Sequence, residues 1–272
     1  MQTIKIKNLS VSIDNEKILS DINLTINQGD VIAIMGPNGH GKSTLFKAIM
    51  KHYSLSYDMG DILFDDVSIN DYETNDIAQQ KVFLATQNPI EIPGLAMLDF
   101  YRTLVSNYEN NENLNVLDLY SKLNEKMKVL SLDSSLLQRS FNDNFSGGEK
   151  KKNEILQLAV LNPDFIFLDE IDSGLDVDAL KMISNILQEQ RVLNKAICYI
   201  SHNNGLVNLI PPTKVLLMIN GQIVQVGDMS LAQRILSEGY AWVEKELGIT
   251  ISKQKSKDTF ENIQLGVCGA NR

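Results

Sequence analysis

Three stretches of this chain set glycines, a lysine and paired acids at spacings that suit polyphosphate chemistry. The first is VIAIMGPNGHGKSTLFKAIM, Val31 to Met50, which reads as an apolar strand over Val31–Met35, a glycine-rich turn and a helix starting near Lys42. The turn, Gly36, Pro37, Asn38, Gly39, His40, Gly41, Lys42, Ser43 and Thr44, fits the P-loop pattern at Gly36, Gly41, Lys42 and Ser43. Gly39 and Gly41 let the backbone turn tightly enough for successive N–H groups to face an anion at the positive end of the helix. In such a loop Lys42 reaches the β- and γ-phosphates of a nucleotide and Ser43 ligates Mg2+.

The second stretch is FIFLDE, Phe165 to Glu170: four apolar residues form a buried strand and two acids emerge where it ends, the ligand edge of an open α/β sheet. Asp169 fits the magnesium-holding acid of the Walker B strand, and Glu170, pointing elsewhere, can accept the proton of an attacking water. The third is FSGGE, Phe145 to Glu149. Ser146 and Glu149 make a capping box for a helix running through Leu158. A cap does not explain Gly147 and Gly148 in the first helical turn, where glycine costs about 1 kcal/mol per position. Bare N–H groups at a helix start suit a second phosphate contact.

Elements must hold these stretches in place. Strands are expected at Thr3–Val11 and Ile22–Ile26 with a turn at Asp14 and Asn15, and further strands at Asp61–Ile69 and Val82–Thr86. From Asn88 the spacing turns helical, over Leu95–Leu104 and Leu114–Leu130, on either side of the polar run SNYENNEN. Strands return at Phe165–Leu168, Ala196–Ile200, Lys214–Ile219 and Gln222–Val226 with helices between several of them. Such alternation predicts an α/β fold with a parallel-rich sheet covered on both faces. The tail from Ser252 to Arg272 is polar and reads as a flexible extension.

A formal charge of −9 over 272 residues argues against a nucleic-acid partner. The two cysteines, Cys198 in an apolar run and Cys268 in the tail, suggest neither a disulfide framework nor a metal site, so a reducing compartment is expected. No apolar run approaches the length needed to cross a bilayer, and the N-terminus lacks a signal-peptide core. The expectation is a cytoplasmic chain with no direct membrane insertion.

Taken together, the three motifs resemble the nucleotide-binding subunits of the ABC ATPase family, over about residues 1–245. The resemblance implies an ABC-type P-loop NTPase fold: a mixed RecA-like sheet core, an N-terminal antiparallel β subdomain and a helical insertion subdomain. A single domain would span residues 1–250, with 1–87 and 162–250 as catalytic core and β subdomain, 88–161 as the helical part carrying the signature motif, and 251–272 as extension. It also implies a Q-loop glutamine at Gln87, with catalytic and magnesium-binding roles, a D-loop at Ser173, Gly174, Leu175 and Asp176, and a switch histidine at His202. ATP and Mg2+ are the implied cofactors, and Lys42, Glu170, His202 and Gln87 the implied catalytic set. In this family two subunits enclose two ATP molecules head to tail, so Ser146, Gly147 and Gly148 would contact the opposite subunit's γ-phosphate and His202 its own.

The chain departs from the pattern in places. Ile13 lies near where many members stack an aromatic ring on adenine, and His40 stands where a small residue is usual. The run FSGGEKKKNEILQLAVLNP, with FIFLDEIDSGLDVDAL after it, looks like the SufC group, the ATPases of SUF iron–sulfur cluster assembly. That likeness implies SufB-like and SufD-like scaffold partners and a transient ATP-dependent homodimer, and it suggests that Lys151 or Lys152 pairs with Glu170. The alternatives are the energy-coupling subunit of a membrane transporter, with the same chemistry, and a non-hydrolysing binding protein, against which Lys42, Asp169, Glu170 and His202 speak.

Overall fold

The computed structural model describes residues 2–202 and 204–252. Two antiparallel strands, β1 (Thr3–Ile13) and β2 (Glu16–Asn27), open the chain. Asp14 and Asn15 between them take positive φ angles of 51° and 65°, which these residue types tolerate and a two-residue hairpin turn requires. Next come β3 (Val31–Met35), α1 (Lys42–Ile49), β4 (Ser56–Phe64) and β5 (Val67–Ser68). The single strand expected at Asp61–Ile69 is in fact the β4–β5 hairpin, because Asp65 and Asp66, at φ 48° and 67°, turn the chain back.

The middle of the chain contains α2 (Thr74–Gln79), β6 (Val82–Ala85), β7 (Ile92–Ala96), α3 (Met97–Glu109), α4 (Val116–Val129), a 3-10 turn at Ser134–Gln138, β8 (Ser140–Phe141) and α5 (Gly147–Leu161). The helix expected from Leu95 begins two residues later. Pro93 and Gly94, the latter at φ 83°, hold the preceding segment extended so that β7 pairs with β8. The last part holds β9 (Phe165–Asp169), α6 (Val177–Val192), β10 (Ala196–Ile200), α7 (Asn204–Leu209), β11 (Lys214–Ile219), β12 (Gln222–Gly227), α8 (Met229–Glu238) and α9 (Ala241–Leu247).

Among the described residues the strands form a four-stranded sheet in the order β2-β1-β4-β5, a six-stranded sheet in the order β12-β11-β3-β10-β9-β6, and the β7-β8 pair. The larger sheet is mixed, parallel except for β12. Successive residues of a strand face opposite sides, and β3 divides accordingly. Val31, Ala33 and Met35 join the core shared with the helices α3 to α6, whereas Ile32 and Ile34 join the core shared with α1 and the β1–β2–β4 sheet. Burial on both faces explains the unbroken apolar runs of β3, β9 and β10. The strand order sets the carboxyl ends of β3, β10 and β9 side by side, which brings Gly36, Ser201 and Glu170 to one edge. The flexible extension expected at 251–272 falls, beyond Ser252, outside the described residues.

Candidate nucleotide site

The turn after β3 is wedged into the fold at its glycines. A Cβ on Gly36 would lie 2.1 Å from the Met218 carbonyl oxygen, and one on Gly41, at φ 91°, would lie 2.7 Å from a Leu19 methyl. Glycine is required at both for the loop to pass. Lys42, 5% exposed, folds back so that its Nζ donates to the carbonyls of Gly36 (2.8 Å) and Pro37 (2.9 Å). Burial lowers its pKa to about 8, against the opposing pull of Glu170 and Asp169.

From the neighbouring strand end, Asp169 Oδ1 accepts a 2.9 Å hydrogen bond from Ser43 Oγ. Burial raises the Asp169 pKa, and the Ser43 bond opposes the shift. Glu170 is set apart by its backbone: at φ 49° it leaves the strand direction and turns its carboxylate away from Asp169. Its Oε2 accepts from Gln87 Nε2 at 2.6 Å, and its Oε1 lies 3.7 Å from His202 Nε2. Burial and the nearby Lys42 ammonium lower the His202 pKa, with Glu170 and Asp172 pulling the other way, so the imidazole is neutral at neutral pH.

Lys42, Ser43, Gln87 and Glu170 share a cleft of about 380 Å³ with Asn38, Gly39, Gly41 and Thr44, and with Ile13 and Ile18 as an apolar wall. Asp169 and His202 are not in its lining and meet it through Ser43 and Glu170. The size of the cleft suits a small-molecule ligand. A larger cavity, about 460 Å³ between α2 and the end of α3, contains no comparable constellation of acids and backbone amides, so the chemistry belongs to the P-loop cleft. Gln87 meets Glu170 in this arrangement, not the Ser43–Asp169 pair.

Ser146, Gly147 and Gly148 are not in this cleft. They begin α5, where the expected capping box forms: Ser146 Oγ accepts from the Glu149 amide (3.2 Å) and Glu149 Oε2 from the Ser146 amide (2.8 Å). The pairing suggested for Lys151 is corrected. Its Nζ donates to the main-chain carbonyls of Glu170 (3.0 Å) and Ser173, leaving the Glu170 carboxylate to Gln87 and His202. The side chain of His40, in the P-loop position where a small residue is usual, turns away from the cleft: it is 5% exposed and its Nδ1 accepts from the Asn220 amide at 2.8 Å.

Other participants were not singled out from the chain alone. Ile18 joins Ile13 on the cleft wall, and Glu154, buried in α5, accepts from the amide of Thr86, next to Gln87, at 3.4 Å. Asp172 is buried and accepts from Ser201 Oγ at 2.6 Å. Only the Asn220–Gly221 dipeptide carried a local signal, that of a tight hairpin turn.

A phosphate-type loop with a strand-end acid pair, one acid lining its cleft and the other bonded to the loop serine, at one edge of a mixed sheet defines a nucleotide-hydrolysing cassette. A family model described as "ABC transporter" matches residues 19–173. The chain is 45% identical to a "Probable ABC transporter ATP-binding protein" of Streptococcus pyogenes serotype M3, over 93% of this chain and 100% of that protein. It is 43% identical to "Vegetative protein 296" of Bacillus subtilis, over 91% and 95% of the two chains. The third relative is "Probable ATP-dependent transporter ycf16" of Cyanophora paradoxa, 41% identical over 89% and 95%. Among solved structures, an ATP-binding cassette of an ABC transporter in its ADP conformation superposes with a TM-score of 0.68 at 27% identity, covering 92% of this chain and 100% of that one. An ATP-binding subunit of an ABC transporter gives 0.73 at 22% identity, with 88% and 98% covered. The chain therefore belongs to the ABC transporter family of ATP-binding cassettes and is an ATPase.

Proposed function

We propose that this chain is the magnesium-dependent ATPase subunit of a SUF-type iron–sulfur cluster assembly machine, using ATP-driven pairing to remodel SufB-like and SufD-like scaffold proteins. The observation that carries this reading is the fate of the residues that distinguish the helix after FSGG. Lys151 holds the carbonyls of Glu170 and Ser173, Asn153 binds Asn142 and Tyr101, and Glu154 binds the Thr86 amide. Within the run that resembles the SUF ATPases, Lys151 and Glu154 are thus built into contacts beside Glu170 and Gln87, and Asn153 into the core behind them.

The residues fit ATP and magnesium. Ser43 Oγ and Asp169 Oδ1 converge to 2.9 Å, the hydroxyl-and-acid pair that suits an ion otherwise held by phosphate and water. Magnesium, when bound, neutralises charge on the β- and γ-phosphates. Lys42, held on its own loop's carbonyls, exchanges these for phosphate oxygens. Ile13 and Ile18 give the base an apolar wall in place of an aromatic stack. Glu170 accepts the proton of the attacking water, with Gln87 fixing one of its oxygens and His202 standing 3.7 Å from the other.

A second copy completes the site in this reading. A Cβ on Gly147 would meet nothing within 4 Å, and one on Gly148 only a Leu175 methyl at 4.0 Å. Packing within the chain does not call for either glycine, so their helix-weakening presence is explained by close approach from outside, at the phosphate of the partner's ATP.

The transporter reading is supported by the names of two relatives and by the cavity of about 460 Å³ between α2 and α3, which could take a segment of a membrane partner. Capture of tagged Glu170→Gln protein from its native extract with ATP and magnesium separates the two. Soluble scaffold chains are expected; recovery of a polytopic membrane protein in their place would overturn the SUF reading.

A further inference from the structure

His40 is a large, titratable side chain inside a loop built for small ones, and nothing in the hydrolytic arrangement uses it. Its ring is turned into the protein. The Asn220 amide can only donate, so the nitrogen it meets at 2.8 Å, Nδ1, carries the lone pair and the proton sits on Nε2. The His40 carbonyl in turn accepts from the Gly221 amide at 3.2 Å, so side chain and backbone of one P-loop residue grip the β11–β12 turn.

That turn is rigid. Asn220 and Gly221 both have positive φ, 50° and 75°, and the Gly221 carbonyl accepts from the Ser20 amide at 3.0 Å. The Asn220 side chain reaches outward: its Nδ2 donates to the Thr250 carbonyl at 2.8 Å, and its Oδ1 accepts from the Ser252 amide at 3.1 Å and from the Ser252 hydroxyl. The segment after β12 therefore reaches the P-loop through Asn220, at His40.

Accepting the cleft as the ATP site, on which this inference rests, we propose that His40 is a positioning residue for ATP. Through Asn220 it fastens the P-loop to residues 250–252, so that the C-terminal segment holds the loop amides in their phosphate-binding arrangement. The ring does not touch the nucleotide. It limits the loop's freedom before binding, and that preorganisation is expressed in affinity more than in the chemical step. Burial and the Lys42 ammonium both lower the His40 pKa, which keeps Nδ1 an acceptor at neutral pH.

The test measures ATP dissociation constants by titration, steady-state KM and kcat, and melting temperature for the full chain and its variants. In His40→Ala the ring's bond to the Asn220 amide is lost, and the dissociation constant and KM should rise about fivefold, the worth of one hydrogen bond, with a smaller change in kcat. His40→Asn puts an amide oxygen near the place of Nδ1 and should restore most of the affinity. Asn220→Gly keeps the positive φ and its amide but releases Thr250 and Ser252, and should weaken ATP binding about twofold to threefold. Wild-type binding with His40→Ala equal to it overturns the proposal alone. So does a loss in His40→Ala that His40→Asn fails to restore while melting normally. A wild-type chain that binds no ATP overturns the site reading and this inference with it.

Discussion

Glu170 shows how a single residue's backbone can set its chemistry. Its neighbour Asp169 continues β9 and meets Ser43, whereas Glu170, at φ 49°, swings to Gln87 and His202. Replacing it by glutamine keeps the shape and removes the base, so turnover of magnesium–ATP should fall about 10²- to 10⁴-fold with ATP binding retained. Equal phosphate release by both proteins would assign the chemistry elsewhere. Glu154 offers a prediction of a different kind. Burial raises its pKa from 4.5 to about 7, so the folded state holds the proton more tightly than the unfolded chain. Its contribution to stability is fully present below the unfolded value and is lost as pH rises through about 7. Glu154→Gln, which resembles the protonated form, should therefore match the wild type in acid and exceed it above neutrality by on the order of 1–3 kcal/mol. Melting curves at a series of pH values check this; two parallel pH profiles would contradict it.

At the scale of the element, α5 combines a strong start with a weak first turn. The capping box of Ser146 and Glu149 satisfies the amides of those two residues, not those of Gly147 and Gly148 between them. Ser146→Ala should cost about 1 kcal/mol, a drop of about 2–4 °C in melting temperature for a domain of this size. Ser146→Asn, another good cap, should hold the wild-type value. If alanine and asparagine melt alike, the cap is not what secures the helix. The same helix was legible in the chain at its beginning and opaque along its length. The Ser146–Glu149 spacing announces the cap, but Lys151, Asn153 and Glu154 read locally as a charged face and are in fact buried, at 9%, 0% and 7% exposure. Their partners, Glu170, Asn142 and Thr86, come from elsewhere in the chain, which no periodicity along α5 can reveal.

For the whole molecule, the cleft and the signature helix are separate surfaces of one chain. If a second copy brings the two together, phosphate release per subunit should rise with protein concentration, and a scaffold that tethers two copies should remove that dependence by raising their effective concentration. A constant rate per subunit across dilution would mean that one chain completes its own site.

What the sequence by itself determined is whatever local backbone geometry dictates: the limits of β3, the start of α1 at Lys42, the two-residue turn at Asp14 and Asn15, and the capping box at Ser146. Each follows from a few adjacent residues whose φ preference, missing Cβ or alternation admits one solution. The Asp65–Asp66 turn and the β7 strand were within reach of the same reasoning, but turn chemistry and a Pro–Gly break overrode the apolar spacing. Only the tertiary structure decided which side chains meet. Ser43 finds Asp169 across 126 positions and Gln87 finds Glu170 across 83, because the parallel crossover order places the carboxyl ends of β3, β10, β9 and β6 along one edge. It also sent His40 inward to Asn220, 180 positions away, and Lys151 to carbonyls in place of a carboxylate. Side-chain ends are placed by the packing of distant elements, and a sequence read locally carries the residue types without those distances.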